Sequence, residues 1–232
     1  MVVGRGMIAS RFKDFDKDDN IVIFASGVSN SKETDLKAFQ RERDLVEATL
    51  QKTQEILFIY FSTCSIEDPS QKESLYVKHK LDLEEYIKTH SEKYLILRTS
   101  NVVGGNTNPH TVLNFFYNKV KSCEYFEVWS QASRNLIDID DVFRIARYFI
   151  EGNGPINKVV NVANPASISA VSLVKTLESF LGKKGNYKIL DKGIPFEIDI
   201  AEIATLFPPM MANFYQEGYL LELLKKYYQS GL

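Results

Sequence analysis

The stretch EILFIYFSTCSIEDPSQKESLYVKHK occupies residues 55–80. It opens on an unbroken apolar run, ILFIYF at 56–61, which reads as a strand buried on both faces. The chain then passes Ser62, Thr63 and Ser65, crosses an acidic, proline-containing turn and enters SLYVKHKLDLEEYIKTH at 74–90. There Leu75, Leu81, Leu83 and Ile87 recur at helical spacing, so the segment reads as an amphipathic helix. A buried strand followed by such a helix is half of a crossover unit. Sheets built from these units are parallel and carry helices on both faces.

The alternation continues on either side. MVVGRGMIASRF at 1–12 reads as a very short strand, a glycine turn and a helix, and NIVIFASG at 20–27 as a buried strand ending in small residues. KAFQRERDLVEATLQK at 37–52 is a helix, and YLILRTSNVVGG at 94–105 is a third long strand followed by a Gly/Asn/Pro loop. HTVLNFFYNKVKS at 110–122 is a helix, NLIDIDDVFRIARYFIEG at 135–152 a short strand, a turn and a helix, and KVVNVANP at 158–165 a strand. SAVSLVKTLESFLGKK at 169–184 is a helix ended by Gly182, followed by a short strand at Tyr187–Leu190 and helices near 200–206 and 216–229. The expected fold is α/β: a Rossmann-like doubly wound parallel sheet with a small C-terminal lobe. We place the Rossmann-like nucleotide-binding domain at 1–164, with 105–134 partly in the lobe, and the substrate-binding lobe at 165–232. Right-handed crossovers put every strand's carboxyl end on one edge, where ligands bind. The glycine turn, Ala25–Gly27, Ser62–Ser65 and Asn101 all fall at such ends.

Bulk properties exclude several functions. The 232 residues suit one large domain, or one with an appendage, and 44% hydrophobic with 25% charged residues is ordinary for a globular protein. A formal net charge of -2 leaves no electrostatic footprint for nucleic acid. Two cysteines, Cys64 and Cys123, and scattered His79, His90 and His110 point to a reduced, cytoplasmic protein without a metal site. The longest apolar run is far too short to span a bilayer, and the N-terminus lacks a signal-peptide pattern.

Gly4-Arg5-Gly6-Met7-Ile8-Ala9 places G-x-G-x-x-A between the first strand and the first helix. Such a turn lets backbone approach a pyrophosphate at a helix N-terminus, although it could equally be a turn that packs helix on strand. A full dinucleotide fold has a second strand ending in an acidic residue roughly 20 residues after the glycines. Here only Ser10 to Asn20 precede the next strand, and a strand–helix–strand unit takes roughly 30 residues. The second and third strands of the fold, which carry the adenosine site, are therefore expected to be missing. The DFDKDD stretch at 14–19 reads as a solvated loop.

Tyr76 and Lys80 stand four apart on one helix face. A phenol with a pKa near ~10 is a poor base at neutral pH. A neighbouring ammonium favours the phenolate, and a hydroxyl such as that of Thr63 can hold the substrate oxygen. Together they could move a proton on an alcohol while hydride passes to or from a nicotinamide.

With these residues in hand, the chain resembles the extended short-chain dehydrogenases/reductases, specifically the NAD-dependent sugar epimerase/dehydratase family, from Val2 to about Phe207. FIYFSTCSIED puts Thr63 at the family's catalytic Ser/Thr position, and YVKHK supplies Tyr76 and Lys80 as its catalytic pair. LILRTSNVVGG resembles the block in which Asn101 would contact a nucleotide-sugar. SRNLIDIDDV resembles the block in which Arg134 would meet the substrate diphosphate, and VVNVANPASISAVSLVKTLE the late strand and helix that begin the substrate lobe. The resemblance implies an NAD(P)-binding epimerase or ketoreductase, an isomerase or oxidoreductase of nucleotide-sugar metabolism and polysaccharide biosynthesis. Its cofactor contacts would be Gly4, Arg5, Gly6, Met7, Ile8, Ala25, Ser26, Ser62, Tyr76, Lys80 and Ser100. The substrate contacts would be Thr63, Asn101 and Arg134. It also implies a homodimer through helices 37–52 and 74–90, with no nucleic-acid or membrane partner.

Departures accompany the resemblance. Cys64 and Ser65 stand where the dehydratase branch has Asp-Glu, so sugar dehydration is not expected. Val3 replaces a further glycine, Glu67-Asp68 replaces Tyr-Gly, and the helix at 37–52 lacks an early asparagine. The alternative is a degenerate, non-redox member that binds a nucleotide-sugar or a protein partner. Cofactor identity, NAD or NADP, stays open, since Arg5 could bind a 2′-phosphate or be a surface residue. Cys64 is expected to fill the site wall, His79 to be a solvated helix residue, and Asp138, Asp140 and Asp141 to cap the following helix. Phe126 and Trp129 could stack on a base or pack in the lobe.

Overall fold

The computed structural model describes residues 1–105, 108–208, 211 and 218–229. In chain order it begins with β1 (Val2–Val3), α1 (Met7–Arg11), β2 (Ile21–Phe24), α2 (Leu36–Leu50), β3 (Leu57–Thr63) and α3 (Leu75–His90). There follow β4 (Tyr94–Thr99), β5 (Asn101–Val103), α4 (Val112–Ser122), β6 (Tyr125–Trp129), β7 (Ser133–Arg134) and β8 (Leu136–Asp138). The chain continues through α5 (Ile139–Ile150), β9 (Lys158–Val162), β10 (Ile168–Ser169), α6 (Ala170–Leu181), β11 (Asn186–Leu190), α7 (Ala201–Leu206) and α8 (Tyr219–Tyr228).

β1, β2, β3, β4 and β9 form one parallel sheet in that order, in register from Val2 opposite Ile23 to Thr99 opposite Val162. The buried runs of β2 and β3 explain why: a strand covered on both faces has no polar side to show. Alternate residues face alternate layers. Phe24, Phe58 and Tyr60 join Val46 and Leu50 of α2 and Leu83 and Ile87 of α3 in one core. Phe61 turns the other way and meets Phe12, which in turn packs edge-on against Phe143 of α5. The doubly wound sheet expected from the sequence is thus present. So is the gap: among the described residues β1 has no sheet neighbour except β2, and α1 is only five residues long.

Contacts divide the chain into two compact units. The first comprises Met1–Ile66, Gln71–Thr99 and Ile139–Val162, and the second Glu67–Ser70, Ser100–Asp138 and Ala163–Leu232. In the second unit, Leu113, Phe116 and Tyr117 of α4, Leu173 and Leu177 of α6 and Leu223, Leu224 and Tyr228 of α8 share a core with Phe126 and Val128 of β6. α6 starts where the Ser169 hydroxyl accepts the Ser172 amide at 3.0 Å. It stops at Gly182, which takes φ +61.

Two boundaries differ from the sequence expectation. The long strand over 94–105 breaks at Ser100: β4 belongs to the main sheet, whereas β5 pairs in parallel with β8. An apolar run shows only that a strand is buried, not which partner it takes. No turn separates the strand and helix at 135–152, because β8 ends at Asp138 and α5 begins at Ile139.

Candidate active site

The loop after β1 is shaped by Gly4. It adopts φ +134, and a β-carbon there would lie 2.4 Å from the Ala25 carbonyl oxygen at the end of β2. Gly6 differs, since a β-carbon there would meet nothing within 4 Å. The first glycine therefore closes β1 against β2 and the second leaves its approach open, the shape a pyrophosphate needs. Arg5 is exposed, and Met7 and Ile8 open α1. After β2, Ser26 is gripped by Arg41 of α2, whose Nη1 donates to the Ser26 hydroxyl at 3.3 Å and Nη2 to its carbonyl at 2.9 Å.

Thr63 ends β3 and is 6% exposed; its hydroxyl oxygen accepts the Ser65 amide at 3.1 Å. Tyr76 lies in the first turn of α3 with Val28, Phe39 and Val77 around it. Lys80, one turn later, is 2% exposed. Its ammonium sits 5.8 Å from the centroid of the Tyr76 ring. It donates to Glu42 Oε1 at 2.8 Å and to the Tyr60 hydroxyl at 3.0 Å. An ammonium has three donors. Two are used here, and no partner for the third occurs among the described residues.

The sequence reading missed Glu42. This residue of α2 is fully buried and accepts from four groups. Oε1 takes the Tyr60 hydroxyl at 2.7 Å as well as Lys80, and Oε2 takes the Val28 amide at 2.7 Å and lies 3.0 Å from His79 Nε2. Burial works to raise its carboxyl; the Lys80 charge, the hydrogen bonds from His79 and Lys80 and the Val28 amide outweigh burial and hold it well below the usual range. Burial, then the Glu42 charge, holds the Tyr60 hydroxyl well above the ordinary tyrosine range, so it stays a phenol. Gly27 lies against the pair: a β-carbon there would be 2.7 Å from both Glu42 Oε1 and Lys80 Nζ. His79 is thus no solvated residue. Its side chain is 9% exposed and bound to Glu42, because α2 covers the flank that the α3 pattern alone leaves open.

A second buried carboxylate stands one turn further along α3. Glu84 accepts the Ser62 hydroxyl at 2.6 Å and two nitrogens of Arg98, Nε at 2.9 Å and Nη2 at 2.6 Å. The Ser62 hydroxyl is therefore engaged inside the protein. Cys64 is 2% exposed and its thiol donates to the Arg98 carbonyl at 2.9 Å.

The remaining expected site residues belong to the second unit. The Asn101 side-chain amide donates to the Asn135 carbonyl at 2.8 Å. Ser100 has a buried hydroxyl that finds no partner among the described residues. Arg134 is partly buried in β7, and its Nη1 donates to the Ser133 carbonyl at 2.7 Å. Burial lowers its guanidinium from the ordinary value, against the pull of Asp68. The aspartates around the start of α5 are ion-pair partners: Asp138 takes Lys226 at 2.6 Å, Asp140 takes Arg11 at 2.5 Å and Asp141 takes Arg144 at 2.6 Å. Phe126 is core and Trp129 is 41% exposed.

A dinucleotide is held at its pyrophosphate and at its nicotinamide end. The open Gly6 backbone and the spare donor of Lys80 fit those two parts. No strand beyond β1 offers an acidic residue to the adenosine ribose among the described residues. Nor do those residues contain a group of three His, Cys, Asp or Glu side chains suited to a metal, or a helix long and apolar enough to cross a membrane.

Comparison with known proteins fits this geometry. Residues 8–163 match the NAD dependent epimerase/dehydratase family. The chain belongs to that family. The match begins after Gly4 and Gly6 and spans the strand–helix unit that carries Thr63, Tyr76 and Lys80. The family member is similar in fold to UDP-glucuronic acid 4-epimerase of Bacillus cereus, solved with UDP-glucuronic acid and NAD. The TM-score is 0.72 and the identity 20%, over 97% of this chain and 78% of the other. It is also similar to the Thermus thermophilus UDP-glucose 4-epimerase solved with NAD (TM-score 0.62, 17% identity, 88% and 75% covered). A third is the Thermotoga maritima UDP-glucose 4-epimerase solved with UDP-glucose (TM-score 0.63, 20% identity, 85% and 74% covered). No curated protein sequence matches.

Proposed function

We propose that this family member is an NAD(P)-dependent epimerase or ketoreductase acting on a nucleotide-sugar. The observation that carries the reading is the Tyr76–Lys80 pair, buried at the start of α3, with one ammonium donor for which the described residues hold no partner. Gly4, Gly6 and Ser26 would line the dinucleotide's pyrophosphate and the spare donor of Lys80 would meet its nicotinamide ribose. The bound nicotinamide would supply hydride chemistry. The residues do the rest. The Thr63 hydroxyl, free to donate, would hold the reacting oxygen of the sugar, and Tyr76 would give that oxygen its proton or take it. Asn101 and Arg134 would bind the nucleotide-sugar, the guanidinium at its diphosphate. Solved relatives in complex with UDP-sugars support that substrate class. Removing the phenol tests the assignment: Tyr76→Phe should lower nicotinamide-dependent turnover by 10³-fold or more, on the order expected for a lost acid/base group. Its circular dichroism and melting should stay close to wild type. Turnover within tenfold of wild type would rule Tyr76 out as the acid/base.

A second reading, a member that binds a nucleotide-sugar without redox chemistry, draws on the edge position of β1, which among the described residues has no sheet neighbour but β2. It is supported if calorimetry finds UDP-sugar binding with no binding of any nicotinamide dinucleotide.

A further inference from the structure

The stretch between α1 and β2 turns away from the edge where ligands bind. A short 3₁₀ turn over Lys13–Phe15 sets Phe15 against Phe12 and Phe143, with ring centroids 6.2 and 6.1 Å away. The chain then meets the start of β1, where Asp16 Oδ1 accepts the Val2 amide at 3.0 Å. Asp18 Oδ1 accepts the Asn20 amide at 2.9 Å, and the Asn20 carbonyl accepts the amide of Leu57, the first residue of β3, at 3.3 Å. The acidic stretch is thus fixed at the amino-terminal ends of the strands. The Val2 amide is also the group that a further strand would use. The Met1 and Val3 carbonyls accept the Ile23 and Ala25 amides, so Val2 between them faces away from β2. Asp16 closes that edge.

A full dinucleotide fold holds its adenosine ribose with a carboxylate at the carboxyl end of the strand beside the first. Here Asp16 and Asp18 sit at the opposite end of β1 from Gly4 and Gly6, and among the described residues no strand stands beyond β1. At the carboxyl edge the first unit offers the open backbone of Gly6 and the Lys80 donor for which the described residues hold no partner. Ser26, at the end of β2, is already held by Arg41. We propose that this is a half-site for the cofactor. It binds the nicotinamide ribose and the phosphate next to it, leaves the adenosine in water, and so takes nicotinamide mononucleotide as readily as a dinucleotide. The proposal rests on the function proposed above and narrows its cofactor. It also bears on NAD against NADP. The phosphate that distinguishes them is carried on the adenosine ribose, so a half-site does not read it, and the exposed Arg5 plays no part in the choice.

Ligand titrations decide it and need no substrate. Followed by nicotinamide fluorescence, reduced nicotinamide mononucleotide should bind within about tenfold of NADH, and NADPH within about threefold of NADH. An adenosine moiety with contacts of its own would separate mononucleotide from dinucleotide by about 100-fold. Saturation-transfer NMR on NAD⁺ should saturate the protons of the nicotinamide and its ribose and spare those of adenine. Asp16→Asn keeps an acceptor for the Val2 amide and should leave the ratio of the two affinities unchanged. Lys80→Met should weaken mononucleotide and dinucleotide alike. Three results would overturn the half-site while leaving the proposed function standing: NADH binding more than about tenfold tighter than the mononucleotide, saturation of adenine equal to that of nicotinamide, or Asp16→Asn weakening NADH alone. Binding of neither the mononucleotide nor any dinucleotide would overturn the proposed function, and the half-site with it.

Discussion

Single residues in this protein carry obligations that their neighbours impose. Gly4 and Gly6 look equivalent in the sequence, and the structure separates them. Gly4→Ala would need φ +134 for a side-chain-bearing residue and would drive a β-carbon into the Ala25 carbonyl. Its cost should be about 2–4 kcal/mol. Gly6→Ala meets nothing within 4 Å and should stay within about 1 kcal/mol, while weakening dinucleotide binding. Urea unfolding of the two variants checks the contrast, and equal stabilities would contradict it. Glu42 carries a pH obligation. Its folded-state carboxyl is held below the ordinary value of 4.5, so its contribution is full above that value and drains as pH falls through the acid range. Glu42→Gln leaves Lys80 buried and unpaired and should cost about 3–5 kcal/mol at pH 7. The gap between wild type and variant should narrow between pH 5 and 3, read from urea midpoints. A gap that widened toward acid would mean that the Lys80 charge does not hold Glu42.

At the scale of elements, α3 organises the site because two periods coincide. Tyr60 and Ser62 alternate on one face of β3. Lys80 and Glu84 repeat four apart on α3. The strand hydroxyls thus meet the two buried ion pairs, Tyr60 at Glu42–Lys80 and Ser62 at Glu84–Arg98. Tyr76, Lys80 and Thr63 could be nominated from the sequence because strand, turn and helix lie next to one another there. Glu42 was not, since its partner is 38 residues away. One signal existed: Glu42 interrupts the stripe of Phe39, Val46 and Leu50, and a charge inside an apolar stripe must find a partner. His79 was misjudged for the same reason, because only the placement of α2 buries it. The break at Ser100 left no local mark either, since a strand that changes partners keeps its apolar character.

For the whole molecule, the sheet order β1-β2-β3-β4-β9 bears out the shortened dinucleotide fold anticipated from the spacing between Ser10 and Asn20. That spacing was decisive because a missing crossover changes chain length directly. What remains is the half that would hold the pyrophosphate and the nicotinamide, where the proposed chemistry resides. The central claim is that this half still grips a cofactor. A titration of the protein with NADH and NADPH by nicotinamide fluorescence, and with NAD⁺ and NADP⁺ by calorimetry, tests it most directly. The account expects micromolar binding of at least one, weakened at least tenfold in Lys80→Met. Failure of all four to bind at millimolar concentration, with the fold intact, would contradict it.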